Sequence, residues 1–207
     1  MTTAVTSSAT DRPGNVLTTG MNSDAMLVRR YLNGDARAFE ILFKKYQTPI
    51  FNLVSRMVNG EDAYDLTQDV FCNALRGLPN FRGEAKFSTW LYSIARNVCL
   101  NRLRRVSSAG EESLDEIEER FEMPDPSIDV HKMAETHELQ RLVNSALATL
   151  PPEQRLLIAL RDFEGLSYEE ISQVTGMTLS NVKSRLHRAR VVFKDRFKPY
   201  LNLFREG

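Results

Sequence analysis

Three carboxylates, Asp62, Asp65 and Asp69, recur at i, i+3 and i+7, the spacing of one stripe along a helix. Such a stripe offers negative charge to basic side chains of another protein. It has none of the histidine or cysteine company that a metal site or an activated nucleophile needs. A second group follows in Phe81, Arg82, Gly83 and Phe87, then Arg96, Asn97, Asn101, Arg102, Arg104 and Arg105. Aromatic faces stack on bases, amides both donate to and accept from base edges, and guanidinium groups meet phosphates. A third group, Lys183, Ser184, Arg185, His187 and Arg188, sits just after a glycine turn at Gly176. A helix that lies in a major groove reads base edges with residues of this kind from its first turns. Two of the three groups therefore speak for nucleic acid, and the first for a protein contact.

Helices must position all three. Ala63, Leu66, Val70 and Ala74 share the helix of the carboxylates but face another side, so the acids point outward. Gly77-Leu78-Pro79-Asn80 ends that helix and a loop runs to Phe87. Ser88 is read as the cap of the next helix, which places Trp90, Leu91, Ile94, Val98 and Leu103 on its apolar side. Trp90 is favoured as core over a base-contacting role. Earlier in the chain, Asn22-Ser23-Asp24 signals a helix start, Gly34 a stop and Asp35 a restart. Phe39, Leu42, Phe43, Tyr46, Ile50, Val54, Met57 and Val58 then make a long apolar face, with Pro49 expected to kink it. Ser167 with Glu170 spells a capping box, and Ser180 is read as the cap of the recognition helix. That helix buries Val182, Leu186, Ala189 and Phe193.

The expected architecture is all-α: a flexible tail over 1–21, a helical domain over 22–106, an acidic linker over 107–134 and a helix-turn-helix domain over 135–204. Between Glu111 and Asp129 only Arg120 opposes a run of acids, whereas Lys183–Lys198 is basic but for Asp195. The formal net charge of zero over 207 residues thus hides segregated charge. A polyanion meets only the charge within a Debye length of about 8 Å. Cys72 and Cys99 lie in no C-x-x-C pattern, so a disulfide framework and a zinc site are not expected. No apolar run nears the roughly 20 residues that span a bilayer, and the amino terminus does not read as a secretory signal. A lone His187 without nucleophile or orienting carboxylate argues against catalysis.

Two helical domains in this order, joined by an acidic linker, resemble bacterial sigma factors of the sigma-70 family, in the extracytoplasmic-function group. The resemblance is carried by Asp65-Leu66-Thr67-Gln68-Asp69-Val70-Phe71, by Phe81-Arg82-Gly83, and by Phe87-Ser88-Thr89-Trp90-Leu91-Tyr92-Ser93-Ile94-Ala95-Arg96-Asn97. Gly165-Leu166-Ser167-Tyr168-Glu169-Glu170-Ile171 and Val182-Lys183-Ser184-Arg185-Leu186-His187-Arg188-Ala189-Arg190 complete it. It implies that Asp65, Gln68 and Asp69 grip the clamp helices of the largest subunit of core RNA polymerase. It implies that Phe81, Arg82, Phe87, Arg96, Asn97 and Asn101 take the −10 promoter element as a single strand. Asn97 stands at the position that contacts a flipped base, and the Phe81–Phe87 loop forms the pocket. It implies that Lys183, Ser184, Arg185, His187 and Arg188 bind the −35 element as duplex. It further implies a cytoplasmic protein that is no enzyme, needs no cofactor and is held by an anti-sigma factor. The main rival is a helix-turn-helix regulator that acts on duplex DNA without joining the polymerase.

Overall fold

The computed structural model describes residues 19–58, 62–109 and 130–203. Residues 1–18 of the expected tail over 1–21, the stop at Gly60, and residues 110–129 of the expected linker over 107–134 lie outside the described residues. Within them the chain forms eight α-helices and no strand.

Four helices make the first half: α1 (Thr19–Leu32), α2 (Ala36–Met57), α3 (Asp62–Gly77) and α4 (Phe87–Ala109). Helix α1 begins three residues before the expected start, so Asp24 lies inside it rather than at its cap. Asp35 caps α2, its carboxylate accepting from the Arg37 backbone N–H at 3.1 Å. Helix α2 runs through Pro49 as one element. A proline at this site forfeits one backbone bond, and seven buried side chains, from Ala38 to Met57, hold the helix regardless. Four buried residues of α3 are those the spacing selects, Ala63, Leu66, Val70 and Ala74. The chain then tightens into a 3-10 turn at Leu78–Asn80. Helix α4 starts at Phe87, with the Trp90 N–H bonded to the Lys86 carbonyl at 3.1 Å. Ser88 therefore sits in the first turn instead of capping it.

The second half comprises α5 (Val130–Ala148), α6 (Pro152–Ile158), α7 (Tyr168–Thr175) and α8 (Leu179–Leu203). Helix α6 runs on as a π-helical segment, Ala159–Phe163, closed by a bond from the Glu164 N–H to the Ala159 carbonyl. Phe163, expected to line this helix, is largely exposed and lies under the Arg56 guanidinium, 4.3 Å from its ring centre. The Ser167–Glu170 capping box is present with both hydrogen bonds, at 3.1 and 2.9 Å. Gly176 closes α7 at φ +72°, a backbone region that a Cβ disfavours. Thr178, not Ser180, caps α8: its hydroxyl accepts from the Asn181 N–H and its carbonyl from the Val182 N–H. Val182, Leu186 and Ala189 are buried, while Phe193 is only partly so and stacks on Phe197.

The halves pack against each other through one continuous apolar core. Arg155 of α6 donates to the Met57 carbonyl at 2.7 Å and to the Ala148 and Leu150 carbonyls. It thereby satisfies orphan carbonyls at the ends of α2 and α5. Burial pulls its pKa below the ordinary arginine value, and the guanidinium remains a cation. Glu164, whose side chain is 8% exposed, accepts from the Tyr92 hydroxyl at 3.1 Å and faces Arg56 at 3.4 Å. Lys86 reaches Glu170 at 2.8 Å. The bonds from Arg155 to Met57, from Tyr92 and Arg56 to Glu164, and from Lys86 to Glu170 join one half to the other.

Candidate nucleic-acid interface

The acidic stripe of α3 is real but shorter than its spacing suggests. Asp65, Gln68 and Asp69 are exposed. Asp62 is partly exposed and is engaged within the chain, accepting from Arg102 of α4 at 2.7 Å. Tyr64 beside it is 54% exposed and stacks near Phe51, with ring centres 4.7 Å apart. The face thus offers two carboxylates and an amide flanked by an aromatic ring, suited to basic side chains with an apolar stem.

The loop after α3 is built on rings. Phe81 lies 6.0 Å from Phe87 and 5.1 Å from Trp90, and Phe87 lies 5.5 Å from Tyr46 of α2. Trp90 packs against this cluster and against the end of α3. A Cβ on Gly77 would come within 3.1 Å of the indole, so the missing side chain at Gly77 makes room for Trp90. Phe81, Phe87 and Tyr46 of this cluster, but not Trp90, line a cavity of about 420 Å³ between the loop and helices α1 and α2. Arg82 stands on the outer side of the loop, 83% exposed, near Glu84. Positive φ at Gly83, +74°, lets the loop turn there.

Asn97 and Asn101 are exposed on α4. The Arg96 guanidinium donates to the Asn97 carbonyl oxygen at 3.1 Å, which leaves the Asn97 amino group as the outward donor. The Arg96 Nε is buried and finds no hydrogen-bond partner among the described residues. Asn97 does not border the loop cavity. It lies ten residues beyond Phe87, about 15 Å along the helix axis. The loop cavity and the Asn97 amide therefore lie apart along one helix.

On α8, Lys183, Ser184, Arg185, His187 and Arg188 all project to solvent. Lys183 lies over the Tyr168 ring, 5.7 Å from its centre. Arg185 is held by Glu153 of α6 at 2.7 Å. Arg188 rests against the Ser184 carbonyl. Arg190 is clamped by Asp162, whose carboxylate raises the arginine further above its ordinary pKa. A cation this close to its own carboxylate is less available to phosphate than its sequence position suggests.

The two basic faces meet. Arg96 and Arg104 of α4 line one side of a groove of about 640 Å³, and Arg185 and Arg188 of α8 line the other. Its floor is apolar, with Leu100, Leu103 and Leu157. Sequence reasoning did not find this groove, because nothing in a linear order says that α4 and α8 face each other. It also missed Glu164 and Arg155, which hold the halves together. A glutamate before a helix-ending glycine and an arginine in an apolar helix are the faint signals they leave.

Among the described residues no cluster of three or more His, Cys, Asp or Glu is placed to hold a metal ion, and no helix is long and apolar enough to cross a membrane. Burial pushes the Cys99 thiol up to about 12, which removes it from thiolate chemistry at neutral pH.

Known proteins share this arrangement. Residues 42–109 match the family described as Sigma-70 region 2, and residues 140–191 match Sigma-70, region 4. The chain is 35% identical over 186 residues to the "ECF RNA polymerase sigma-E factor" of Escherichia coli strain K12, an alignment that covers 86% of this chain and 96% of that one. The solved structure of CnrH in complex with the cytosolic domain of CnrY is similar at a TM-score of 0.65 and 25% identity, over 86% of this chain and 98% of that chain. A sigma factor RpoE from Bartonella quintana, in complex with the anti-sigma factor NepR, shares the fold at a TM-score of 0.61 and 23% identity, over 79% and 98% of the two chains.

Proposed function

Because this chain belongs to the sigma-70 family of RNA polymerase sigma factors, in the extracytoplasmic-function group, we propose how its residues divide the work of promoter recognition. The chain directs core RNA polymerase to specific promoters and assists melting at the start of transcription. Core polymerase and promoter DNA are its partners.

The assignment of surfaces follows their chemistry. Asp65, Gln68 and Asp69 grip the polymerase. Lys183, Ser184, Arg185, His187 and Arg188 enter the major groove of the −35 duplex. The rings of Phe81 and Phe87 and the amides of Asn97 and Asn101 hold the melted −10 strand, with Arg82 and Arg96 on its phosphates. Melting is then stabilised by the energy of binding unpaired bases and needs no nucleotide hydrolysis. An anti-sigma factor is the third partner, and the protein works in the cytoplasm, where the polymerase is. The observation that carries this reading is that a base-edge helix and a ring-and-amide surface lie in two helical halves of one chain. Their order is that of the two matched family regions.

The test is a pair of variants in a reconstituted polymerase. Arg188→Ala should weaken promoter binding by about 1–3 kcal/mol and relax preference at one −35 position. Asn97→Ala should cut open-complex formation while polymerase binding stays intact. Unchanged promoter affinity and sequence preference in Arg188→Ala would refute the recognition-helix assignment. The rival, a regulator acting on duplex alone, leaves the ring-lined loop and Asn97 without a task.

A further inference from the structure

The groove between α4 and α8 gathers charge of one sign. Arg96 and Arg104 on one wall and Arg185 and Arg188 on the other share about 640 Å³. Of the described residues that line it, Glu153 alone is acidic, and Arg185 already holds it at 2.7 Å. Like charges brought together repel. Arg96 Nε and Gln154 Oε1 are buried there without hydrogen-bond partners among the described residues. Leu100, Leu103 and Leu157 leave the floor apolar. The groove therefore suits an occupant that is acidic on its flanks and apolar along one side.

The same chain carries such a segment at the groove's edge. Ser107 borders the groove, and α4 ends two residues later at Ala109. Between positions 111 and 122 seven carboxylates stand against Arg120 alone. Leu114, Ile117 and Phe121 recur among them at i, i+3 and i+7, the spacing of an apolar stripe. None of the surfaces assigned to polymerase or promoter uses this run.

We propose that segment 111–123 docks in the groove between α4 and α8 while the chain is free of polymerase. Its apolar residues meet the leucine floor and its carboxylates meet the arginines. Leu114 is seven residues beyond Ser107, about 23 Å of fully extended chain. A tether this short gives an effective concentration on the order of millimolar, so weak contacts suffice. The walls come from both halves, so docking favours the packed state and is lost when the halves part. It also covers Arg185 and Arg188, a consequence that rests on their assignment to duplex DNA. A site left open one-tenth of the time binds about tenfold more weakly.

The test uses the full chain. Cys72→Ser with Ile117→Cys puts one spin label on the segment, since Cys99 is buried. Amide signals of Leu100, Leu103, Gln154 and Leu157 should be broadened most. Salt at about 1 M, where the Debye length is about 3 Å, should remove that pattern. In a second variant Leu114, Ile117 and Phe121 are all changed to Gln, which leaves the net charge unaltered. Without polymerase it should bind −35 duplex about tenfold more tightly than the natural chain. Broadening spread evenly over both halves would overturn the proposal. So would broadening of an isotope-labelled chain by a separate spin-labelled one, which would make the occupant a second copy. Broadening centred on the groove with duplex affinity unmoved in the Gln variant would uphold docking and refute the assignment of Arg185 and Arg188 to DNA.

Discussion

The Asn97 amide does not stand alone on α4. Arg96 occupies its carbonyl oxygen, so the amino group is the part left to meet a base in the proposed −10 contact. Arg96→Ala should therefore weaken the open complex by about 1 kcal/mol, the worth of one positioning hydrogen bond. The loss should be smaller than in Asn97→Ala, and open-complex lifetime on one promoter measures both. The exposure of Asn97 and Asn101 was legible in the sequence, because the apolar stripe of α4 leaves them on its outer face. Asp24 was not. Its place after Asn22 and Ser23 reads as a cap, and only packing of α1 on α2 shows that Lys45 and Tyr46 claim it. Asp62 differs the other way, since spacing put it in the outward stripe and the structure pairs it with Arg102 of the same chain.

At the scale of elements, two glycines fix the geometry of the two surfaces proposed to face DNA, for different reasons. Gly77 is needed for space. In Gly77→Ala the new methyl meets the indole at 3.1 Å, so Trp90 must shift and carry Phe81 with it. Binding of a single-stranded −10 oligonucleotide by the holoenzyme should fall while −35 duplex binding holds. Gly176 is needed for its backbone. Nothing lies within 4 Å of a Cβ there, so Gly176→Ala carries only the left-handed penalty, about 1 kcal/mol. Thermal unfolding should show that loss, and Gly176→Asn should recover part of it. The helices themselves were readable from periodicity and caps. Their starts were displaced at α1, α4 and α8 because a serine or asparagine inside a first turn resembles one just before it. The π-helical Ala159–Phe163 was invisible, since its extra residue leaves no mark on apolar spacing.

For the whole molecule, the face-to-face packing of the two basic surfaces has a mechanical consequence. Arg96 and Arg104 share one groove with Arg185 and Arg188. Elements named for positions 35 and 10 are about 25 base pairs apart, on the order of 85 Å of duplex at 3.4 Å per step. Under the proposed assignment of surfaces, the halves must separate before both elements are held. Glu164, Arg155 and the Lys86–Glu170 pair are what separation breaks. Burial lifts the Glu164 carboxyl above the ordinary glutamate value of 4.5, and the Tyr92 hydroxyl and Arg56 only partly offset it. The packed state therefore holds more protons at this site than the unfolded chain. Its contribution is complete below pH 4.5 and declines as pH rises through the elevated value. Glu164→Gln should flatten that part of the stability–pH curve in chemical denaturation. Glu164→Ala leaves Arg56 half-buried without its partner and should cost about 1–3 kcal/mol after discounting for solvent. A donor on the exposed Cys72 and an acceptor on a cysteine replacing Asp195 should report the halves moving apart when core polymerase is added. None of this closure was legible in the sequence. Charge segregation showed two functional ends but not that they fold onto each other.

The central claim is that one chain, through two surfaces, gives core polymerase a promoter it would not otherwise use. Transcription in vitro tests this most directly, with core enzyme, the purified chain, a randomised promoter library and sequencing of the run-off products. The account predicts new start sites that share a paired −35 and −10 sequence at fixed spacing. No new product, with the chain still binding duplex DNA unaided, would contradict it.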